Sequence, residues 1–488
     1  MNLAAVLEAA AARAGGADAV VQPGSVQLSY ADLRERAARL AGGLAALGLA
    51  RGEPLAAVLD NRHELVELYW AAQWLGAVFV PLSWRAPAAE LDYCVGDAGA
   101  GLVARDGGNG SVTVGDATFA ELLEHPELPG AFDLDTSAPG LMLYTSGTTG
   151  RPKGVPRSHA ADRAGGVSQA LQHGLAPGDR TLGVMPLYHT MGLHSLLAMP
   201  VVSGCFVCLP RWDAGDALAL IEAERLTSLY LAPTLFHDLV MHPRRADFDV
   251  SSVRALAYAG AAMTSSLVRR CVDAFGPALF VNHYGSTEIY TFSVHRDQAA
   301  KPGCAGRASM NALLRLVSTD EDARPEDVVA DGEEGQVICR LDSDEAFGGY
   351  WNRPDANEKA IRDGWYFTGD VGRVDEDGDL WLVGRVDDMI ISGGENVHPL
   401  EVEEVVARHP GVVEVAVVGA PDDRLGQRVV AVVVAPETTG EELDAFCLAD
   451  GGIARWKRPR EYRFVDELPK SPSGKILRRL LRTEGAAR

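Results

Sequence analysis

The sequence has few cysteines, seven in 488 residues, and this odd, sparse set does not make the disulfide framework of a secreted protein. Cys205 and Cys208 stand close together in the apolar run VVSGCFVCL, and no second pair of metal ligands accompanies them. We therefore expect both side chains to pack as small hydrophobic residues in a strand. A reducing cytoplasm is the compartment that this cysteine usage favours.

Basic residues are scarce relative to acidic ones, because 45 Lys and Arg face 67 Asp and Glu, for a formal net charge of −22. This surplus would repel nucleic-acid phosphates and anionic membrane surfaces, which excludes both as general partners. Long apolar runs are also missing. The most apolar stretch, residues 183–210, carries three prolines, so we expect no membrane span. The N-terminal segment lacks the basic region of a signal peptide and predicts an amphipathic helix.

Helix-period segments and short strand-like segments alternate along most of the chain, which predicts an α/β fold. Ser29 and Asp32 have the spacing of a capping box in front of a helix with an apolar face. We expect a large N-terminal domain over residues 1–384, with mixed, largely parallel sheets flanked by helices. A small, mobile α+β C-terminal domain is expected over residues 385–488, with GDLWLVGRVDDMIISGGE as a hairpin-like segment near its start.

The clearest motif is YTSGTTGRPKGV, residues 144–155, which follows the apolar strand GLMLY. Glycines let backbone N–H groups turn toward an anion, hydroxyl groups add donors, and Lys153 adds a point charge. This combination predicts a loop that holds phosphate oxygens. The loop is no Walker A motif, because Arg151 and Pro152 separate Gly150 from Lys153.

Four further motifs come after it in order, and they are NHYGSTE, GWYFTGDVG, ISGGENVHPLEVE and LPKSPSGKILRR. With them the sequence resembles the adenylate-forming acyl-CoA synthetases of the ANL superfamily, most of all the 4-chlorobenzoate and benzoate CoA ligases. The resemblance implies that ATP and Mg²⁺ activate an aromatic or cyclic carboxylic acid as an acyl adenylate. Coenzyme A then takes the acyl group as a thioester, and AMP and pyrophosphate are released.

The resemblance also implies the nucleotide site. Tyr284 would lie on the adenine, Thr287 would contact the α-phosphate, and Glu288 would bind Mg²⁺, for which a carboxylate oxygen is a suitable ligand. Asp370, joined by Arg385, would hold the ribose hydroxyls. The full set implied for ATP and AMP is Thr145, Ser146, Gly147, Thr148, Thr149, Lys153, Gly260, Ala261, Tyr284, Gly285, Thr287, Asp370 and Arg385.

By the same resemblance, Lys475 would reach the carboxylate and the α-phosphate during adenylation, and His189 would lie near the carboxylate and gate the entry of the thiol. The catalytic residues implied are Lys475, His189, Thr287 and Glu288. The acyl pocket implied is His189, Tyr230, Gly260, His283, Gly285, Tyr290 and Thr291. The polar side chains in that pocket are compatible with a second polar group on the acid.

In the C-terminal part, Gly393 and Gly394 would line the tunnel for the pantetheine chain of coenzyme A. Trp456 and Arg458 resemble a surface patch for its nucleotide, although Leu425 stands where a second aromatic residue is expected. Asp387 matches the hinge between the domains. The PxxxxGK spacing that ends at Lys475 resembles the acetylation site of regulated synthetases, which implies a lysine acetyltransferase as a partner.

Several alternatives stay open. The substrate of the ligase can be o-succinylbenzoate or a medium-chain fatty acid. Alternatively, the protein can be a stand-alone adenylating enzyme that loads a carrier protein in place of coenzyme A. A catalytically silent nucleotide-binding module is disfavoured, because Lys153, Glu288, Asp370 and Lys475 are all present. Malonate-type ligases place an arginine where His283 stands, which disfavours a dicarboxylic acid.

Overall fold

The computed structural model describes residues 1–108, 110–146, 151–450, 452–471 and 476–483. The predicted phosphate-binding residues Gly147, Thr148 and Thr149 and the predicted catalytic residue Lys475 lie outside these described residues. The fold consists of a large N-terminal domain of helices and sheets and a smaller C-terminal domain, which confirms the predicted α/β class.

The strands, in chain order, are β1 Asp18–Gln22, β2 Val26–Ser29, β3 Pro54–Val58, β4 Val78–Leu82, β5 Leu102–Gly108, β6 Ser111–Val114, β7 Ala117–Thr118, β8 Pro139–Ser146, β9 Pro152–Ser158, β10 Arg180–Gly183, β11 Cys205–Cys208, β12 Ser228–Leu231, β13 Ala255–Tyr258, β14 Leu279–Tyr284, β15 Ser293–His295, β16 Arg307–Ala308, β17 Leu314–Val317, β18 Gly335–Arg340, β19 Ile361–Arg362, β20 Trp365–Val374, β21 Leu380–Arg385, β22 Ile390–Ser392, β23 Glu395–Val397, β24 Glu414–Asp422, β25 Gly426–Val434 and β26 Glu461–Phe464.

The α-helices are α1 Leu3–Ala14, α2 Tyr30–Ala46, α3 His63–Leu75, α4 Ala88–Ala98, α5 Phe119–Leu123, α6 His159–Gln172, α7 Thr190–Val202, α8 Ala214–Ala223, α9 Pro233–Met241, α10 Ser265–Phe275, α11 Pro354–Ala360, α12 Pro399–Val406, α13 Gly440–Asp450 and α14 Arg478–Thr483. Within the described ranges, none of them is long and apolar enough to cross a membrane.

Two large sheets build most of the N-terminal domain. Among the described residues, one sheet has nine strands in the order β16-β15-β14-β13-β12-β10-β11-β1-β2, and the other has seven in the order β7-β6-β5-β3-β4-β8-β9. The central strands of both sheets pair in parallel and the edge strands pair antiparallel. The expectation of mixed, largely parallel sheets is therefore confirmed for these two sheets.

Local sequence signals explain several elements. Ser29 and Asp32 make the predicted capping box at the start of α2, with each side chain bonded to the other residue's backbone N–H. Every residue of α3 is buried, which fits a helix packed inside the core and not on its surface. Cys205 and Cys208 bound a fully buried strand, as predicted, and burial raises the pKa of the Cys205 thiol to about 12.

The order of parallel strands positions the predicted site. β12, β13 and β14 lie side by side and run in the same direction. Their carboxyl ends therefore meet at one edge of the sheet, where α/β proteins bind ligands. Tyr230 lies in β12, His283 lies in β14, and Gly260 follows β13, so that residues distant in sequence reach the same edge.

The segment predicted as one hairpin-like unit, residues 378–395, is divided between two sheets. β21 pairs with β20, whereas β22 pairs with β23 and β25. The reason is an Asp-Gly turn at residues 377–378, which makes β21 the return strand of a hairpin with β20. A short 3₁₀ turn, Val386–Asp388, carries the chain from one sheet to the other.

The C-terminal domain is built on a small, mainly antiparallel sheet. Its strand order among the described residues is β23-β22-β25-β24, and β26 pairs in parallel with β25. Inward-facing valines of β24 and β25 pack with α12 and α13 into a separate hydrophobic core. This architecture agrees with the small α+β domain that the sequence predicts for the C-terminal part.

Candidate active site

Residues 144–146 and 152–155 belong to the paired strands β8 and β9, whereas the sequence predicted a loop for this motif. β8 and β9 pair antiparallel, with Thr145 opposite Lys153 and Ser146 opposite Pro152. Because opposite residues of an antiparallel pair lie about 5 Å apart, the pairing holds the backbone of Lys153 beside that of Thr145.

Lys153 and Glu288 approach each other across one tyrosine. The ammonium of Lys153 lies 4.0 Å from the ring centroid of Tyr350, and the Tyr350 hydroxyl donates a hydrogen bond of 2.7 Å to Glu288 Oε1. Burial lowers the pKa of Lys153, and the Glu288 carboxylate opposes this shift. A buried carboxylate oriented by a hydroxyl donor fits Mg²⁺, whose other ligands are then phosphate oxygens and water.

The chain turns back tightly between His283 and Tyr290, and this turn carries Thr287 and Glu288. A Cβ atom added at Gly285 would lie 1.7 Å from the carbonyl oxygen of Tyr290, so that only glycine fits there. The backbone N–H of Ser286 donates to the carbonyl of Ile289, which closes the turn. Glycine at position 285 is thus required by close backbone approach.

The predicted ribose residues form one cluster. Asp370 on β20 is the cross-strand partner of Arg385 on β21. The Arg385 guanidinium donates to Asp370 Oδ1 at 2.8 Å, and the Tyr284 hydroxyl donates to Oδ2 at 2.7 Å. Each carboxylate oxygen keeps acceptor capacity, because one oxygen can accept two hydrogen bonds.

Tyr366 connects the ribose cluster to the Glu288 carboxylate. This tyrosine lies on β20 and is buried. Burial raises the pKa of its hydroxyl well above the usual value, and the charges of Glu288 and Asp370 add to the shift. Tyr366 therefore lies close enough to both the Asp370 and the Glu288 carboxylates for their charges to act on its hydroxyl.

The turn of the β20–β21 hairpin is held by a lysine from another segment. Lys301 Nζ lies at 2.7, 3.0 and 2.6 Å from one carboxylate oxygen each of Asp375, Asp377 and Asp379. These hydrogen bonds raise the pKa of Lys301 and lower that of Asp375. The hairpin that carries Asp370 and Arg385 is thereby fixed at its far end.

Three of the predicted acyl-pocket residues form an aromatic cluster. The ring centroids of Tyr230 and His283 lie 5.6 Å apart, and those of His283 and Tyr290 lie 4.7 Å apart. Two buried histidines that the sequence did not indicate complete it. His173 lies against Tyr230 and His283, and His194 stacks on Tyr290 at 3.5 Å.

Hydrogen bonds define the state of His283. Its Nε2 faces the carbonyl oxygen of Tyr290 at 3.4 Å, and since a carbonyl only accepts, Nε2 carries the hydrogen. Its Nδ1 then accepts from His173 Nε2 at 3.1 Å. Burial lowers the pKa of His283 to about 4 and that of His173 well below the usual value. Both imidazoles are therefore neutral near pH 7.

The other predicted acyl residues lie around this cluster in different ways. Thr291 is buried, and its hydroxyl donates to Glu345 Oε2 at 2.7 Å. His189 caps the N-terminus of α7, where Nδ1 accepts from the Met191 backbone N–H at 3.3 Å. Gly260, with φ +83°, and Ala261 form an exposed turn.

The predicted coenzyme A residues lie in the C-terminal domain, on the β22–β23 turn and in the segment before β26. Trp456 is partly exposed, but Arg458 forms an ion pair of 2.7 Å with Asp444. Gly393 and Gly394 occupy the turn between β22 and β23 with φ of +64° and +87°, values that favour glycine for conformational reasons alone.

Asp387, the predicted hinge, is exposed in the 3₁₀ turn between β21 and β22. Beyond this turn the two domains touch through polar side chains. His398 Nε2 lies 3.0 Å from Glu334 Oε2, and the Glu404 carboxylate accepts from the Ser265 hydroxyl.

Sequence reasoning missed five residues in and around the site: Arg157, His173, His194, Glu345 and Tyr350. Tyr350 had a signal, because it follows two glycines in FGGYWN shortly before the GWYFTGDVG motif. The others had none, since the site residues that they contact are distant in sequence.

Comparisons with known proteins bear on the family of the chain. The chain matches the sequence profile of the AMP-binding enzymes over residues 7–351 and that of their C-terminal domain over residues 401–475. It is 37% identical over 473 residues to a feruloyl-CoA synthase of an Amycolatopsis species, with 94% of each chain covered. It is 34% identical over 489 residues to a 4-chlorobenzoate–CoA ligase of an Arthrobacter species, covering 96% of this chain and 92% of the relative.

A solved structure of an anthranilate CoA ligase, AuaEII, in complex with anthranoyl-AMP superposes with a TM-score of 0.90. It is 27% identical in sequence, and the match covers 99% of this chain and 96% of the other. The resemblance inferred from the five motifs is thereby confirmed.

Replacement of Tyr350 by phenylalanine tests the Glu288 cluster. The ring below Lys153 is kept, and only the hydrogen bond to Glu288 is lost. We expect the Mg²⁺ concentration for half-maximal acid-dependent ATP–pyrophosphate exchange to rise about tenfold, as for loss of a residue that orients a metal ligand. Tyr462→Phe, in the C-terminal domain, is the control and should leave it unchanged. An unchanged Mg²⁺ dependence in Tyr350→Phe would show that Glu288 needs no such orientation.

Proposed function

We propose that this chain, which belongs to the family of AMP-binding enzymes, joins an aromatic monocarboxylic acid to coenzyme A. The reaction class is that of an AMP-forming acid–CoA ligase, which uses ATP, Mg²⁺ and coenzyme A. The acid and ATP give an acyl adenylate and pyrophosphate. The thiol of coenzyme A then displaces AMP and forms the thioester.

One arrangement carries this function. Asp370, held between Tyr284 and Arg385, supplies acceptors for two ribose hydroxyls, and Lys153 and Glu288 lie where phosphates and a metal ion would follow. In the first step the acid's carboxylate attacks the α-phosphorus and negative charge builds on the phosphate oxygens. Positive charge near those oxygens lowers the barrier, and we assign this role to Lys153 and, from the mobile domain, to Lys475. Mg²⁺ bound at Glu288 supplies further positive charge.

The nature of the acid is inferred from the cluster of Tyr230, His283 and Tyr290 with His173 and His194. Flat rings favour an aromatic substrate, against which they can stack or pack edge to face. Because burial keeps the imidazoles neutral, the cluster offers no positive charge for a second carboxylate. This supports a monocarboxylic aryl acid over o-succinylbenzoate or a dicarboxylic acid.

The proposed acceptor of the acyl group is the thiol of coenzyme A. Arg458 must leave Asp444 before it can hold a phosphate of coenzyme A. A carrier protein is the competing acceptor, and the two make different demands on this patch. If the patch binds the nucleotide of coenzyme A, then pantetheine, which lacks that nucleotide, should show a higher KM than coenzyme A.

The experiment that tests the function is a screen of acids in two assays, ATP–pyrophosphate exchange and thioester formation. The panel contains benzoate, 4-hydroxybenzoate, ferulate, cyclohexanecarboxylate, octanoate, 2-succinylbenzoate and malonate. We expect the highest kcat/KM for an aromatic monocarboxylic acid with coenzyme A. Preference for octanoate or 2-succinylbenzoate would overturn the aryl assignment, and exchange without thioester formation would indicate a carrier protein as acceptor.

His283→Leu tests whether the cluster recognises a ring substituent. The bond from His283 Nε2 to the Tyr290 carbonyl is long, 3.4 Å, so a substrate hydroxyl or amino group can compete for that hydrogen. We expect benzoate activity to stay within about tenfold and 4-hydroxybenzoate activity to fall further, since a buried hydrogen bond is worth ~1–3 kcal/mol. The measurement is kcat/KM for both acids. An equal fractional loss on the two would mean that the imidazole bonds only within the protein.

We further propose that the C-terminal domain begins at residue 385 and turns about Asp387 between the two steps. Lys475→Ala should slow adenylation about 100-fold or more, because one pre-organised donor is lost, and should largely spare thioester formation from supplied acyl adenylate. Asp387→Pro should do the reverse, because proline fixes φ and blocks the rotation. Equal losses in both half-reactions for either variant would contradict the two-orientation mechanism.

We propose a cellular compartment and one regulatory modification. Free, buried cysteines suit a reducing cytoplasm. Acetylation of Lys475 by a lysine acetyltransferase would remove the charge that adenylation uses. Mass spectrometry of the protein from its native cells should find modified Lys475 under some growth conditions, and its absence under all of them would contradict this regulation.

A further inference from the structure

Arg157 is a fully buried arginine next to the nucleotide site. It lies on β9, four residues after Lys153, and its side chain is 0% exposed. The guanidinium donates from Nε to Asp162 Oδ1 at 2.6 Å, from Nη1 to the Thr287 carbonyl at 2.9 Å and from Nη2 to the Glu345 carbonyl at 3.2 Å. One side chain therefore joins three separate segments.

The ion pair with Asp162 explains how this charge is tolerated but not why it is there. Asp162, in the first turn of α6, is also 0% exposed. A buried ion pair contributes little to stability compared with apolar residues of similar size. The two bonds to carbonyl oxygens are the feature that an apolar pair could not reproduce.

Those two carbonyls belong to neighbouring segments of the site. Ile289 and Ala346 form an isolated bridge, and the Phe347 backbone N–H donates to the Glu288 carbonyl at 2.8 Å. The Thr287 carbonyl, which directly precedes these two contacts in the chain, is held by Arg157. The rigid fork of a guanidinium fixes two acceptors at a set spacing, which a lysine cannot do.

We infer that Arg157 is a positioning residue that fixes the Thr287–Glu288 segment against the strand carrying Lys153. This inference rests on the proposed function, in which Glu288 holds Mg²⁺ and Lys153 holds phosphate. Arg157 itself touches neither ligand. Its effect is to keep the metal-binding carboxylate and the phosphate-binding ammonium in register, so that Mg·ATP binds both at once.

The experiment replaces the buried pair with apolar residues, as Arg157→Met/Asp162→Leu, which leaves no unpaired buried charge. Binding of ATP, without any acid, is measured by calorimetry at increasing Mg²⁺ concentrations, next to the Mg²⁺ dependence of ATP–pyrophosphate exchange. We expect the half-saturating Mg²⁺ concentration to rise about tenfold in both measurements, as for lost outer-shell support of a metal ligand. The rate of thioester formation from supplied acyl adenylate, which does not use the metal, should change less than threefold.

Arg254→Met is the matched control. Arg254 also binds an aspartate, Asp179, and a backbone carbonyl, that of Gly174, without contact to the Thr287–Glu288 segment. The Arg254→Met variant should have a lower melting temperature than the wild type and an unchanged Mg²⁺ dependence. An unchanged half-saturating Mg²⁺ concentration in the double variant, or an equal rise in Arg254→Met, would overturn the inference.

Arg157→Lys keeps the charge beside Asp162 and serves if the double variant does not fold. Its half-saturating Mg²⁺ concentration should rise less, about threefold, because an ammonium cannot hold both carbonyls. A half-saturating Mg²⁺ concentration equal to that of the wild type would contradict the inference. A wild-type protein that binds Mg·ATP but activates no acid would refute the proposed function and leave the binding comparison valid. Failure of the wild-type protein to bind Mg·ATP would refute both.

Discussion

A charge that is buried where several segments meet must be compensated by neighbouring groups. This requirement determines much of the arrangement of the candidate nucleotide site. Moving an ion out of water costs several kcal/mol unless a partner and further hydrogen bonds replace the water. The fully buried pair of Arg157 with Asp162 meets this requirement, and the partly buried pair of Asp370 with Arg385 follows the same pattern, each with partners on different elements. Because each partner comes from another element, satisfying the charges also fixes those elements relative to one another.

The same logic explains which contacts the sequence could predict. The capping box of Ser29 and Asp32 was predictable, because both partners lie within one helical turn. The pairing of Asp370 with Arg385 was predictable only through the family resemblance, because the motifs of a family indicate which residues meet after folding. The Thr291–Glu345 bond and the Arg458–Asp444 pair were not, because hydrogen-bond partners are chosen in three dimensions.

Strand pairing sets a second limit on sequence reasoning. Glycine and hydroxyl residues at 144–155 indicate a loop by composition, yet Thr145, Ser146 and Gly154 pair in strands, because the preceding apolar strand continues through Ser146. In the aromatic cluster, the histidines at 173 and 194 look like ordinary helix residues in the sequence. Their ring contacts with Tyr230 and Tyr290 exist only in the folded structure.

The ammonium of Lys301 lies in the β20–β21 turn at a position where a metal ion could otherwise bind. Three carboxylates around one centre are the donor set that other proteins offer to a divalent cation. Here the positive charge is the ammonium of Lys301, which is part of the chain, so its presence does not depend on the metal ions in the medium. The three carboxylates are thereby held together without the need for a metal ion. The far end of the hairpin that carries Asp370 and Arg385 is therefore fixed by the chain's own charges, whatever the supply of metal ions.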